Sequence, residues 1–172
     1  MGFFSKKIKK DEIVNALIAN FAVSRDSLLK GVVELVENGT EISNEQDHEI
    51  MILALLSNIH PHRITLGDGP TGEYIIGKFQ DAVFNMYLFS EKEREGFKTK
   101  FWGRCKEYYE VYKPGNKDMA LQIGQIFCTY FFGKKEDGSH TGMMYFIGSA
   151  FLKIQIEVKK TLDEILSNYE VI

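Results

Sequence analysis

The chain is poor in the residues that break or staple a fold: 172 residues hold only three prolines, two cysteines and four histidines. The prolines fall in short polar breaks, with Pro61 between His60 and His62, Pro70 inside the run Gly67 to Gly72, and Pro114 just before Gly115. Everything between those breaks is free to be helical. Cys105 and Cys128 lie far apart in aromatic-flanked segments, which excludes a disulfide framework and a metal-ligand set and fits buried thiols in a reducing compartment.

A surplus of positive charge is also missing. With 21 Lys and Arg against 24 Asp and Glu, the formal charge is -3, and a phosphate-gripping surface for nucleic acid is not expected. No stretch approaches the roughly 20 apolar residues that span a bilayer, since the nearest candidate, residues 141 to 152, ends at Lys153. No apolar core of a secretory signal follows Met1, so the expected location is cytoplasmic and Asn38-Gly39-Thr40 reads as an accidental glycosylation pattern. Lys6 stands where an N-myristoylation motif needs a hydroxyl.

What is present is hydrophobic periodicity. Hydrophobic residues make up 44% of the chain, enough for a sizeable core. Residues 1–10 are basic, with Phe3, Phe4 and Ile8 among Lys6, Lys7, Lys9 and Lys10, and read as a disordered tail that offers the chain's only plausible membrane contact. Residues 11–172 read as a single helical domain. A first stripe, Ile13, Val14, Leu17, Ile18 and Phe21, opens with acids at Asp11 and Glu12, and a second, Leu28 to Val36, follows caps at Ser24, Asp26 and Ser27 and stops at Asn38-Gly39. Ser43 and Gln46 form a capping box for a third helix, closed by Pro61, whose core face is Ile50, Ile52, Leu53, Leu55, Leu56 and Ile59.

A fourth helix, capped by Thr71, carries Ile75, Ile76, Phe79, Val83, Met86 and Tyr87. Ser90 and Glu93 open a fifth, with Phe97, Phe101, Cys105, Tyr108 and Tyr112 in one stripe before Pro114-Gly115. Asn116 caps a sixth that ends at Gly133. The final run alternates strictly over Lys153 to Lys159 in the manner of a strand, yet Ile147, Phe151, Ile154, Val158, Leu162, Ile165 and Tyr169 also keep helical spacing. The expected fold is therefore an all-α bundle of about six or seven helices, and the alternative is an α+β fold with a C-terminal hairpin within residues 119–160 turning at Asp137-Gly138.

Few residues point to chemistry. Gly67 to Gly72 fits G-x-G-x-x-G before a helix, but no buried strand precedes it and Pro70 removes one donor, so the dinucleotide reading fails on context. Glu45 and His48 make one Glu-x-x-His step where a di-iron bundle needs two, so no metal and no cofactor are expected. The best candidate for a ligand or anion site is a loop cleft formed by His60, His62, Arg63, Gly67, Gly69, Thr71 and Gly72. Neighbours on a helix point about 100° apart, so Tyr108 and Tyr109 cannot share one core face, and the stripe Phe97, Phe101, Trp102, Tyr108, Tyr109 and Tyr112 is the candidate interface. Three functions stay open. The first is a non-enzymatic helical interaction module, self-associating as a homodimer or taking a protein partner through the aromatic faces of 97–112 and 141–169. The second is a small-molecule sensor with an aromatic pocket between helices, and the third an enzyme with its site at the loop from His60 to Gly72.

Overall fold

A computed structural model describes residues 6–36, 41–112, 115–133 and 140–172. Among them are six helices: α1 (Lys10–Leu35), α2 (Asn44–Leu66), α3 (Pro70–Tyr87), α4 (Glu91–Val111), α5 (Met119–Phe131) and α6 (Thr141–Asn168). Two short strands, β1 (Lys6–Ile8) and β2 (Tyr169–Val171), pair in parallel with Lys7 opposite Glu170. The fold is an all-α multi-helix bundle. No helix among the described residues is long and apolar enough to cross a membrane.

The bundle is organised around α2. Every residue from Glu49 to Ile59 is buried, so this helix is covered on all sides, as expected of an element lying inside a core rather than on its surface. It touches α1, α3, α4, α5 and α6. Buried apolar residues of all six helices join in one cluster, with Phe21, Phe79, Phe97, Phe101, Phe127 and Phe151 among its largest members. The closest helix crossing is between α5 and α6, where a Cβ on Gly124 would overlap the Met144 carbonyl and one on Gly148 would overlap the Ala120 carbonyl. Backbones approach there to a distance that only glycine permits.

Several sequence expectations change. Ser24, Asp26 and Ser27 cap nothing, because α1 runs unbroken: Leu17, Phe21, Ser24, Leu28 and Val32 continue one stripe, and the Ser24 hydroxyl donates to the Asn20 carbonyl inside the helix. The stop at Asn38-Gly39 lies outside the described residues, and α1 ends at Leu35. Pro61 does not close α2, which continues to Leu66. Burial of the helix on every side outweighs the one hydrogen bond a proline removes, and one turn earlier the Ala54 carbonyl accepts from both the Ser57 hydroxyl and the Asn58 amide.

Lys6–Ile8, expected as tail, is strand, and Lys10 already belongs to α1. Thr71 is not a cap, since Gly69 holds that position and Pro70 opens the helix with its preset φ. Asn116 precedes the cap of α5, Asp118, and ties α4 to α5: its amide donates to the Val111 carbonyl and to Gln122, and its carbonyl accepts from the Asp118 N–H. No hairpin forms from 119–131 and 141–160, which are helical, and Asp137-Gly138 lies outside the described residues. The capping box of Ser43 and Gln46 forms as expected. At α4 only half of one does, because Ser90 accepts from the Glu93 N–H while the Glu93 carboxylate turns to the Phe89 N–H.

Candidate functional site

A mainly apolar groove of about 240 Å³ lies between α1 and α6. The two helices run antiparallel, since the start of α1 meets the chain's end through the Lys10 N–H and the Ile172 carbonyl, while Gly31 near its other end meets Phe146. Asn20, Val23, Ser24 and Ser27 form one wall, and Ala150, Ile154, Val158 and Thr161 the other. Small side chains on both helices make the depression, and Phe146 lies across Gly31 beyond the Ser27 and Ala150 end. Val23 at the lip is 71% exposed, and Tyr145 and Ile156 on the outer side of α6 are 54% and 66% exposed. Lys153 and Glu157, one turn apart at the edge, form no ion pair among the described residues.

The residues expected to form a loop cleft are divided by the structure. Arg63 and Gly67 line one cleft at the α2–α3 turn, together with Asp68, Glu73, Ile76, Gly77 and Gln80. Gly67 ends α2 with φ of +70°, and Gly72 is buried against the Gly67 carbonyl, which a Cβ would strike, so the glycines shape a tight turn. Gly69 and Thr71 do not line it: Gly69 is the N-cap of α3 and Thr71 its second residue. His62 leaves the site altogether: it faces the core, fully buried, with no hydrogen-bond partner on Nδ1 or Nε2 among the described residues, and burial lowers its pKa to about 4. His60 is half-buried and packs on Tyr112 and Tyr109 at ring-centroid distances of 4.2 and 5.6 Å. Burial, and then the charge of Arg63, lower its pKa as well.

The aromatic interface expected on α4 is corrected in the same way. Phe97, Phe101 and Tyr108 are buried within the chain, at 1–2% exposure, because their stripe is the one α4 packs against the core, and they present nothing to a partner. Tyr109 and Tyr112 are half-buried against His60, and only Trp102 is broadly exposed. Cys105 is buried and its thiol pushed up to about 12 by desolvation, which suits no nucleophile.

Two features escaped sequence reading. Glu49, 3% exposed in the middle of the bundle, accepts hydrogen bonds from Nε and Nη2 of Arg104 at 3.1 and 3.2 Å, with Lys100 at 3.8 Å. The Arg104 guanidinium also sits over the Tyr130 ring, 3.0 Å from its centroid, and the Tyr130 hydroxyl donates to Glu107. Near the starts of α2 and α4, Arg25 donates to both carboxylate oxygens of Asp47 at 2.6 and 2.8 Å and stacks on Tyr87, while His48 stands 3.8 Å from Glu93. No group of three or more His, Cys, Asp and Glu side chains among the described residues converges as a metal site. No family model, no curated protein and no solved structure matches this chain.

Proposed function

We propose that this protein is a non-enzymatic helical interaction module that self-associates as a cytoplasmic homodimer, through the α1–α6 groove and not through the stripe on α4. The observation that carries this reading is the groove itself, apolar, open and bordered by Val23 at 71% exposure. Lys153 and Glu157 add a second argument. A two-fold axis across α6 sets Lys153 of one copy opposite Glu157 of the other, twice, so one patch is complementary to itself. The two buried free thiols support a reducing compartment.

Light scattering on the purified chain across a concentration series tests it. The expected mass is twice that of the chain, falling to the monomer in the variant carrying Val23→Glu and Ile154→Glu, both of which place a carboxylate where the seam would be dry. A wild-type chain that is monomeric at every concentration, or a variant that dimerises unchanged, overturns it. Tyr108→Ala is no test of the seam, because it opens the core.

A further inference from the structure

The cleft at the α2–α3 turn has a composition that a mere dent in a bundle does not need. Its volume is about 410 Å³, and its walls carry one guanidinium, Arg63, two carboxylates, Asp68 and Glu73, and the amide of Gln80. Arg63, Asp68 and Glu73 are exposed to solvent and none forms an ion pair among the described residues, so all three can turn to a ligand in the cleft. The Gln80 Nε2 is shielded from water and has no hydrogen-bond acceptor among the described residues. A buried amide donor in that condition costs stability unless something reaches it.

The frame around these groups is built to stay open. Gly67 holds its left-handed φ of +70°, Gly72 lets the turn fold back onto the Gly67 carbonyl, and Glu73, Gly77 and Gln80 follow at helical spacing along one side of α3. Gly77 contributes no side chain where a Cβ would meet nothing within 4 Å. Ile76 supplies the apolar part of the lining.

Charge decides what fits. A simple anion would satisfy Arg63 and be repelled by Asp68 and Glu73, whereas a simple cation would satisfy the carboxylates and leave the guanidinium facing it. A small zwitterion answers both, and we infer that this cleft binds a free α-amino acid. Its carboxylate takes the paired donors of Arg63, the Gln80 amide donates to the same carboxylate, and its ammonium is held by Asp68 and Glu73 while its side chain lies along Ile76. The site is separate from the α1–α6 groove and independent of self-association.

The test is calorimetric titration of the full chain with the proteinogenic L-amino acids, one at a time, at millimolar concentration. At least one is expected to bind. Its N-acetyl and methyl ester derivatives, which each remove one charge, should bind at least about tenfold more weakly. Arg63→Met should weaken binding by a similar factor. Gly77→Leu should abolish it by filling the cleft, in a variant that gains helix propensity and so keeps its fold by circular dichroism. The inference is overturned if no amino acid binds, if either derivative binds as well as its parent, or if binding survives both substitutions unchanged.

Discussion

Glu49 and Arg104, from α2 and α4, are joined by two hydrogen bonds at 3.1 and 3.2 Å inside a shell that leaves Glu49 only 3% exposed. The pair is asymmetric in its consequences. Removing Arg104 leaves the buried Glu49 carboxylate with Lys100 alone, at 3.8 Å, at a cost of up to about 3–5 kcal/mol, while replacing both with apolar residues of similar size is close to neutral. Arg104→Met is therefore expected to lower stability sharply and Glu49→Leu with Arg104→Met to recover most of the loss. Urea denaturation of the two variants checks this. Equal losses in both would mean that the pair itself, and not the stranded charge, carries the stability.

That pair also shows where sequence reading stops. Two helix starts are local and were legible: Ser43 with Gln46 and Ser90 with Glu93 lie three residues apart and satisfy orphan N–H groups of their own helix. Glu49 and Arg104 lie far apart in sequence, and nothing near either residue announces the other. Pro61 misled for a related reason. A proline is a local signal, but whether a helix survives it depends on how much is buried around it, and α2 is buried around its whole circumference from Glu49 to Ile59, with Pro61 and His62 buried as well.

The candidate sites were legible only in part. Arg63 and Gly67 line one cleft because a helix end and its turn are neighbours in sequence as in space. His62 was misplaced, since the step from Arg63 to His62 is about 100° around a helix and carries one side chain outward and the other into the core. The stripe on α4 was read correctly as apolar and wrongly as surplus. Phe97 and Phe101 pack against Phe84 of α3, Phe97 also against His48 of α2, and Tyr108 against Phe151 of α6, and no count along one helix reveals how many others it must meet.

The glycines divide into two groups with opposite expected effects. Gly124→Ala and Gly148→Ala place a methyl group into the Met144 and Ala120 carbonyls, and the α5–α6 crossing must open to accept it. Each should destabilise by about 1–3 kcal/mol or more. Gly103→Ala, within α4, meets nothing within 4 Å and should stabilise by about 0.5–1 kcal/mol through helix propensity alone. Thermal melts of the three variants decide the matter, and a stabilised Gly148→Ala would contradict the close crossing.

The two ends of the chain hold each other. The Lys10 N–H donates to the Ile172 carbonyl at 3.3 Å and the Ile172 N–H to the Ile8 carbonyl at 3.0 Å, extending the β1–β2 pairing into the first turn of α1. Truncation after Asn168 removes β2 and should speed hydrogen exchange at the amides of β1 and at Lys10. The amides of α2 should not change, because that helix is held by packing against the other five helices.

His62 ties stability to pH. Its pKa of about 4 in the folded chain, set by burial, compares with an ordinary value of 6.5. Between those values the unfolded chain takes up a proton that the folded chain refuses, so stability rises with pH across this window and is lost as pH falls from about 6.5 toward 4. At about 1.4 kcal/mol per pH unit the full difference is about 3 kcal/mol. His48 and His60, also lowered by burial, act in the same direction. The variant His62→Leu fills the same buried site without a titrating group, and its urea midpoint should fall less than the wild type's between neutral pH and about pH 4.5. If both midpoints fall in parallel, His62 is not what couples folding to protons, and His48 and His60 are the histidines left to carry the acid sensitivity.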